Sequence, residues 1–172
     1  MKPNRIYESE RPLGARTSRK LTNGSPFPVA WLLRDVSEFN DEVVKMHNNT
    51  FHPQLANQQL LETINKLFAL MNDASAGTCE VGATNQFPSR TLSAAHELLE
   101  LRPYWDDTDA IRPPRLLRLY YGEPVLDPSG LLPLHLASKP KGPDVLHEQD
   151  AAIAEADDRA TRWALDKHSR VA

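Results

Sequence analysis

Arg115-Leu116-Leu117-Arg118-Leu119-Tyr120-Tyr121-Gly122 is the stretch on which the fold turns. A short run of leucine and tyrosine that stops at a glycine reads as a strand. Successive strand side chains point to opposite faces. Leu117, Leu119 and Tyr121 therefore share one face, and Leu116, Arg118 and Tyr120 share the other. The first set reads as core, which leaves Arg118 expected on an open face of a sheet.

Two flanking runs supply neighbours for this strand. His96–Arg102 ends at Pro103, and Leu131–Ala137 follows the turn signal Asp127-Pro128-Ser129-Gly130. Pro133 in the third run lacks a ladder donor and favours an edge. Between the first two runs, residues 104–114 carry Asp106, Asp107, Asp109 and Pro113-Pro114, a long hairpin loop. Upstream, Val29–Leu33 is an apolar run that fits a strand. Asp35 and Glu38 resemble a capping box before Val36, Phe39, Val43 and Val44, so a helix is expected over 36–47. Pro53 opens a second helix, over 54–73, with Leu60, Ile64, Leu67, Phe68 and Met71 at helical spacing; it ends before Gly77. Residues 78–95 read as loop. A last helix spans about 146–167, with Ile153, Ala156, Ala160, Trp163 and Ala164 on one face. Its acids lie early and Lys167 and Arg170 late, in agreement with the helix dipole. The class is α+β: a small antiparallel sheet, two N-terminal helices on one face and a C-terminal helix.

Composition narrows the function. Apolar residues make up 40% of 172, enough for one core. The sequence holds no membrane-length apolar run and no apolar leader after Met1, and its single cysteine, Cys79, forms no internal disulfide; a cytoplasmic protein is expected. Residues 1–24 carry six basic side chains against Glu8 and Glu10, or +4, within a chain of net charge −3, so the remainder is −7. Residues 1–28 are expected to be a flexible basic arm, either a tail for RNA or a partner or a solvated terminus, and 29–172 the folded domain.

No phosphate loop, dinucleotide glycine motif, paired CxxC or HExxH is present, and the six histidines are scattered, so neither metal nor cofactor is expected. The basic residues around the three strands are more informative. Arginine and lysine on one sheet face can clamp a phosphate and stabilise charge at phosphorus. With an RNA 2′-hydroxyl as nucleophile, no metal is required. His135 has a ring suited to carrying a proton near neutral pH. The bland alternative for Arg118 is a surface ion pair with Asp106 or Asp107, which the pattern alone favours.

Three motifs carry a family likeness. Glu100-Leu101-Arg102-Pro103, then Arg118-Leu119-Tyr120-Tyr121, then a leucine-rich strand ending in Ser138-Lys139, together resemble the RelE/HigB-like toxin superfamily, in its phage-derived HigB-like branch. Ile153-Ala154-Glu155-Ala156-Asp157 fits the closing helix. The likeness spans about residues 29–168. It implies the toxin of a type II toxin–antitoxin system: a ribosome-dependent endoribonuclease acting on mRNA, restrained by an antitoxin, usually of helix-turn-helix type. The family's middle-strand arginine falls on Arg118, its post-strand lysine on Lys139, Arg102 matches the arginine of the first motif, and Lys141 stands for a further basic residue after the last strand. Arg118, Lys139 and His135 are thus the candidate catalytic residues, and Arg102, Arg115 and Lys141 the candidate RNA contacts. The strand before Arg118 departs from the family by carrying Leu98 and Glu100 where lysines are typical, and the body is acidic. The same fold hosts gyrase inhibitors. A non-catalytic interaction module on this fold, or an unrelated phage or regulatory factor, is the alternative.

Overall fold

The computed structural model describes residues 30–32, 41, 56–76, 89–91, 98–103, 115–124 (its strand ends at Gly122), 127, 130–140 and 146–171. The expected arm (1–28), the hairpin loop at 104–114, Cys79 and Lys141 lie outside them. So does the helix expected over 36–47, apart from Asp41, which is helical.

Strands β1 (Ala30–Trp31), β2 (Ser89–Thr91), β3 (Leu98–Leu101), β4 (Arg115–Gly122) and β5 (Gly130–Pro140) form a mixed sheet in the order β1-β5-β4-β3-β2. Helices α1 (Ala56–Ala76) and α2 (Leu146–Val171) complete the described fold. The class is therefore α+β, and β3, β4 and β5 are the three antiparallel strands read from the sequence. Two features differ from expectation. The sheet is not purely antiparallel, because β1 pairs parallel to β5 through Ala30↔Gly130 and Trp31↔Leu131. And β2 lies in a stretch read as loop, where Ser, Arg and Thr give no apolar period.

Pro133 pairs with Tyr121 of β4 on one side, while among the described residues β1 pairs with β5 no further than Leu131 on the other, so Pro133 lies on an open edge as expected. Tyr120 pairs with His135 but Tyr121 pairs with Pro133, so Leu134 is an extra residue in a bulge. A bulge interrupts the ladder and so tolerates the missing proline donor. It also turns Leu134 and His135 in succession towards α2.

Each face of the sheet has its own core. Leu99, Leu101, Leu117, Leu119, Tyr121, Leu131 and Leu136 pack with Leu67, Met71 and Ala74 of α1. On α1 the buried line also takes in Thr63, while Phe68, read as core from its spacing, is 46% exposed. Trp31 joins this side: its indole Nε1 donates to the Met71 carbonyl at 2.9 Å, and its ring meets Tyr121 edge-on at 5.3 Å. On the opposite face Leu98, Tyr120, Leu132 and Leu134 pack with Ala152, Ile153, Ala156, Ala160, Trp163 and Ala164 of α2. Alanine every fourth residue lets that helix lie close on the sheet. Lys167 pins its end, reaching Asp127 at 2.9 Å and lying over the Trp163 ring. Among the described residues no helix is long and apolar enough to cross a membrane.

Candidate anion site under the closing helix

The face expected to be open is covered by α2, and this corrects the placement of Arg118. Its side chain is buried, at 6% exposure, with Tyr120 beside it at 1%. Alternation assigned the two to one face correctly. What it does not report is whether a helix packs on that face.

The partner of Arg118 is Glu100, not a loop aspartate. The register sets Glu100 opposite Tyr120 on β3, one position along from Arg118 on the same face. Arg118 Nε lies 2.6 Å from Glu100 Oε1, and Nη1 donates to the Leu117 carbonyl at 2.8 Å. Arg102, two residues on from Glu100 and so on the same face, also grips it, with Nε 3.1 Å from Oε1 and Nη2 donating to Oε2 at 3.1 Å. Glu100 is 1% exposed, a carboxylate tolerable there only because two guanidinium groups hold it.

Lys139 completes the group from β5. Leu116↔Lys139 and Arg118↔Ala137 bring it to the same face. Its ammonium donates to Gln149 Oε1, on the first turn of α2, at 3.2 Å. Burial is the main cause of a lowered Lys139 pKa; the neighbouring Arg118 and Arg102 lower it further and Glu100 opposes them. Burial likewise lowers the Arg118 pKa, with Glu100 opposing, yet a guanidinium remains charged at any physiological pH. The Tyr120 hydroxyl is pushed well above its ordinary range, first by burial and then by Glu100.

Three of the residues singled out from sequence thus share one sheet face: Arg102 and Arg118 hold Glu100, and Lys139 bonds Gln149 beside them. Arg115 opens β4. His135 is four residues from Lys139 along β5, roughly 13 Å at strand rise, and lies within electrostatic reach of Glu155 of α2, whose carboxyl is held low chiefly by Arg159. Glu100 was visible in the sequence as the start of the Glu100–Pro103 motif and as a departure from the family's lysines, not as the partner of Arg118; its two-residue spacing from Arg102 was the available signal. Gln149 had no signal at all. Among the described residues no group of three His, Cys, Asp or Glu side chains could hold a metal.

Among the described residues the group holds three cations and one buried carboxylate, which Arg118 and Arg102 share while Lys139 bonds Gln149. Arg118 is enclosed, while Arg102 and Lys139 are only half-buried and stand at the margin of the cluster. A site of this kind can accept an anion at its rim. Comparison with protein-family models, curated proteins and solved structures finds no match to this chain.

Proposed function

We propose that this chain is an RNA-acting toxin with a RelE/HigB-like fold, which cleaves mRNA on the ribosome and is held in check by an antitoxin, of helix-turn-helix type in most such systems. One observation supports the reading: two guanidinium groups share one buried carboxylate, and a third cation, Lys139, stands half-buried on the same sheet face. In this scheme Lys139 and Arg102 take the scissile phosphate. Arg118 stands behind them as a fixed charge, its position set by Glu100. The RNA 2′-hydroxyl attacks phosphorus and the 5′-oxygen leaves, so the protein's part is to orient the phosphate and stabilise its developing charge. Arg115 and Lys141 bind flanking phosphates. A proton-carrying role for His135 requires the RNA to run along β5 from Lys139. The two-helix N-terminal arrangement of the family belongs to the same proposal.

The test is induced expression with mapping of mRNA ends on ribosomes. Wild type should arrest growth and produce new ends. Lys139→Ala and Arg102→Ala should each lower cleavage by about 10²-fold, the scale of a lost electrostatic contact, with helix content unchanged by circular dichroism. A wild type that neither arrests growth nor cuts RNA refutes the nuclease.

Burial of Arg118 against Glu100 favours a second reading, a non-catalytic interaction module on the same fold, because the family's catalytic arginine is here part of the interior. Growth arrest without new RNA ends would select it.

A further inference from the structure

The flank of the sheet beside β1 holds a feature that the anion site does not use. β1 stops pairing with β5 at Leu131, and among the described residues no strand follows β5 beyond that point on this side. There a cleft of about 200 Å³ opens between β5 and α2. Leu132, Pro133, Leu134 and Trp163 give it apolar walls, and Glu155, Arg159 and Arg162 stand around them.

Size comes first. Pockets for drug-sized molecules or cofactors run to about 300–1,000 Å³, so this cleft is too small for a nucleotide and suits one bulky side chain. Charge comes next. Glu155 serves two guanidinium groups, Arg159 at 2.7 Å and Arg162 at 3.4 Å. Arg159 is further committed, donating to the Leu134 carbonyl at 3.1 Å. Arg162 is 64% exposed and its contact is long. With five N–H donors, it retains capacity for a second carboxylate. The cleft therefore pairs an apolar floor with a charged rim in which two guanidinium groups share one carboxylate. Trp163 is 5% exposed, so no aromatic face is offered on which a base could stack, and the walls favour a protein ligand over RNA.

We propose that this cleft docks a partner protein through a short segment, which inserts one bulky apolar side chain between β5 and α2 and sets an adjacent Asp or Glu on Arg162. An exposed arginine beside a pocket sized for one side chain is a composition found at interface hot spots. The proposal stands apart from the RNA reading and survives its failure.

The experiment selects a random-peptide phage library on the full chain, then maps the enriched peptides by amide NMR. The expected consensus is a bulky apolar residue next to an acid, with shifts centred on Leu132, Leu134, Arg159 and the Trp163 indole. Arg162→Glu, at an exposed site that leaves the fold intact, should weaken binding by about tenfold or more, as loss of a charge-assisted contact does. Arg162→Lys should retain part of the affinity. The proposal is overturned if no peptide enriches, if the enriched peptides lack an acid, if they bind Arg162→Glu unchanged, or if they shift another surface. A single-stranded RNA oligonucleotide that shifts these same residues while peptides do not would overturn it equally.

Discussion

Glu100 and Arg118 illustrate how an ion pair changes meaning with burial. On a surface, an arginine–carboxylate contact contributes little to stability. Here both groups are enclosed, so removing one strands the other. Arg118→Ala should lower unfolding free energy in denaturant by about 3 kcal/mol, the low end for a broken buried pair because Arg102 still meets Glu100. A Glu100→Leu, Arg118→Met double variant should be less destabilised than Arg118→Ala alone; equal or greater loss would mean that the pair is not buried in solution. Lys139 makes a pH prediction. Its pKa is lowered, chiefly by burial and then by Arg118, so its charge is lost at a lower pH than that of an ordinary lysine. If the proposed function holds, RNA affinity should accordingly decline early on the alkaline side, and Lys139→Arg should extend that limb upwards in a binding–pH profile. The side-chain alternation on β4 was legible from the sequence, including which residues accompany Arg118. The identity of its partner was not, because residues 102–114 separate β3 from β4 in the sequence and alternation within one strand carries no register between strands.

Among the elements, β5 is the most constrained. It pairs antiparallel with β4, parallel with β1, and bends at Leu134. Gly130 begins it where β1 passes closest. A β-carbon there would land on the Leu32 side chain, which itself packs into the α2-side core. Gly130→Ala should cost about 1–3 kcal/mol by thermal or chemical denaturation, the range for overpacking, and Leu32→Ala in the same chain should recover part of it. Independent, additive losses would show that the two residues do not touch. The element order was readable because each run has a punctuating residue: Pro103 after β3, Gly122 at the end of β4, Gly130 at the start of β5 and Gly77 after α1. The parallel pairing of β1 was not readable, since two residues carry no period, and β2 was missed for the same reason. Coverage of the second face was implicit in the alanine seam of α2, which needs a flat apolar surface to lie on.

For the whole molecule, charge and site pull in different directions. A net charge of −3 gives no general attraction for polyanions. On the proposed function, RNA binding would come from a few local cations, and its salt dependence should be shallow. If Arg102 and Lys139 make the two principal phosphate contacts, log K against log salt should fall with a slope of about −1.4 for single-stranded RNA. A much steeper slope would point to many contacts elsewhere on the chain. The parallel pairing of Ala30 with Gly130 bears on something else: the order of assembly. It joins strands about a hundred residues apart, whereas β4, β5 and α2 follow one another along the chain. Closing the distant loop costs chain entropy that the local hairpin and helix avoid. The segment from β3 to α2 should therefore structure first, and β1 should dock last, with Trp31 settling onto Tyr121 and Met71 after the rate-limiting step. Trp31→Ala should leave the refolding rate nearly unchanged in stopped-flow experiments and speed unfolding by on the order of tenfold to a hundredfold. During synthesis the N-terminal strand would emerge early and wait for nearly the whole chain before its hydrogen-bonding edge is covered, which makes that interval the one in which a nascent molecule is most exposed to pairing with the wrong strand.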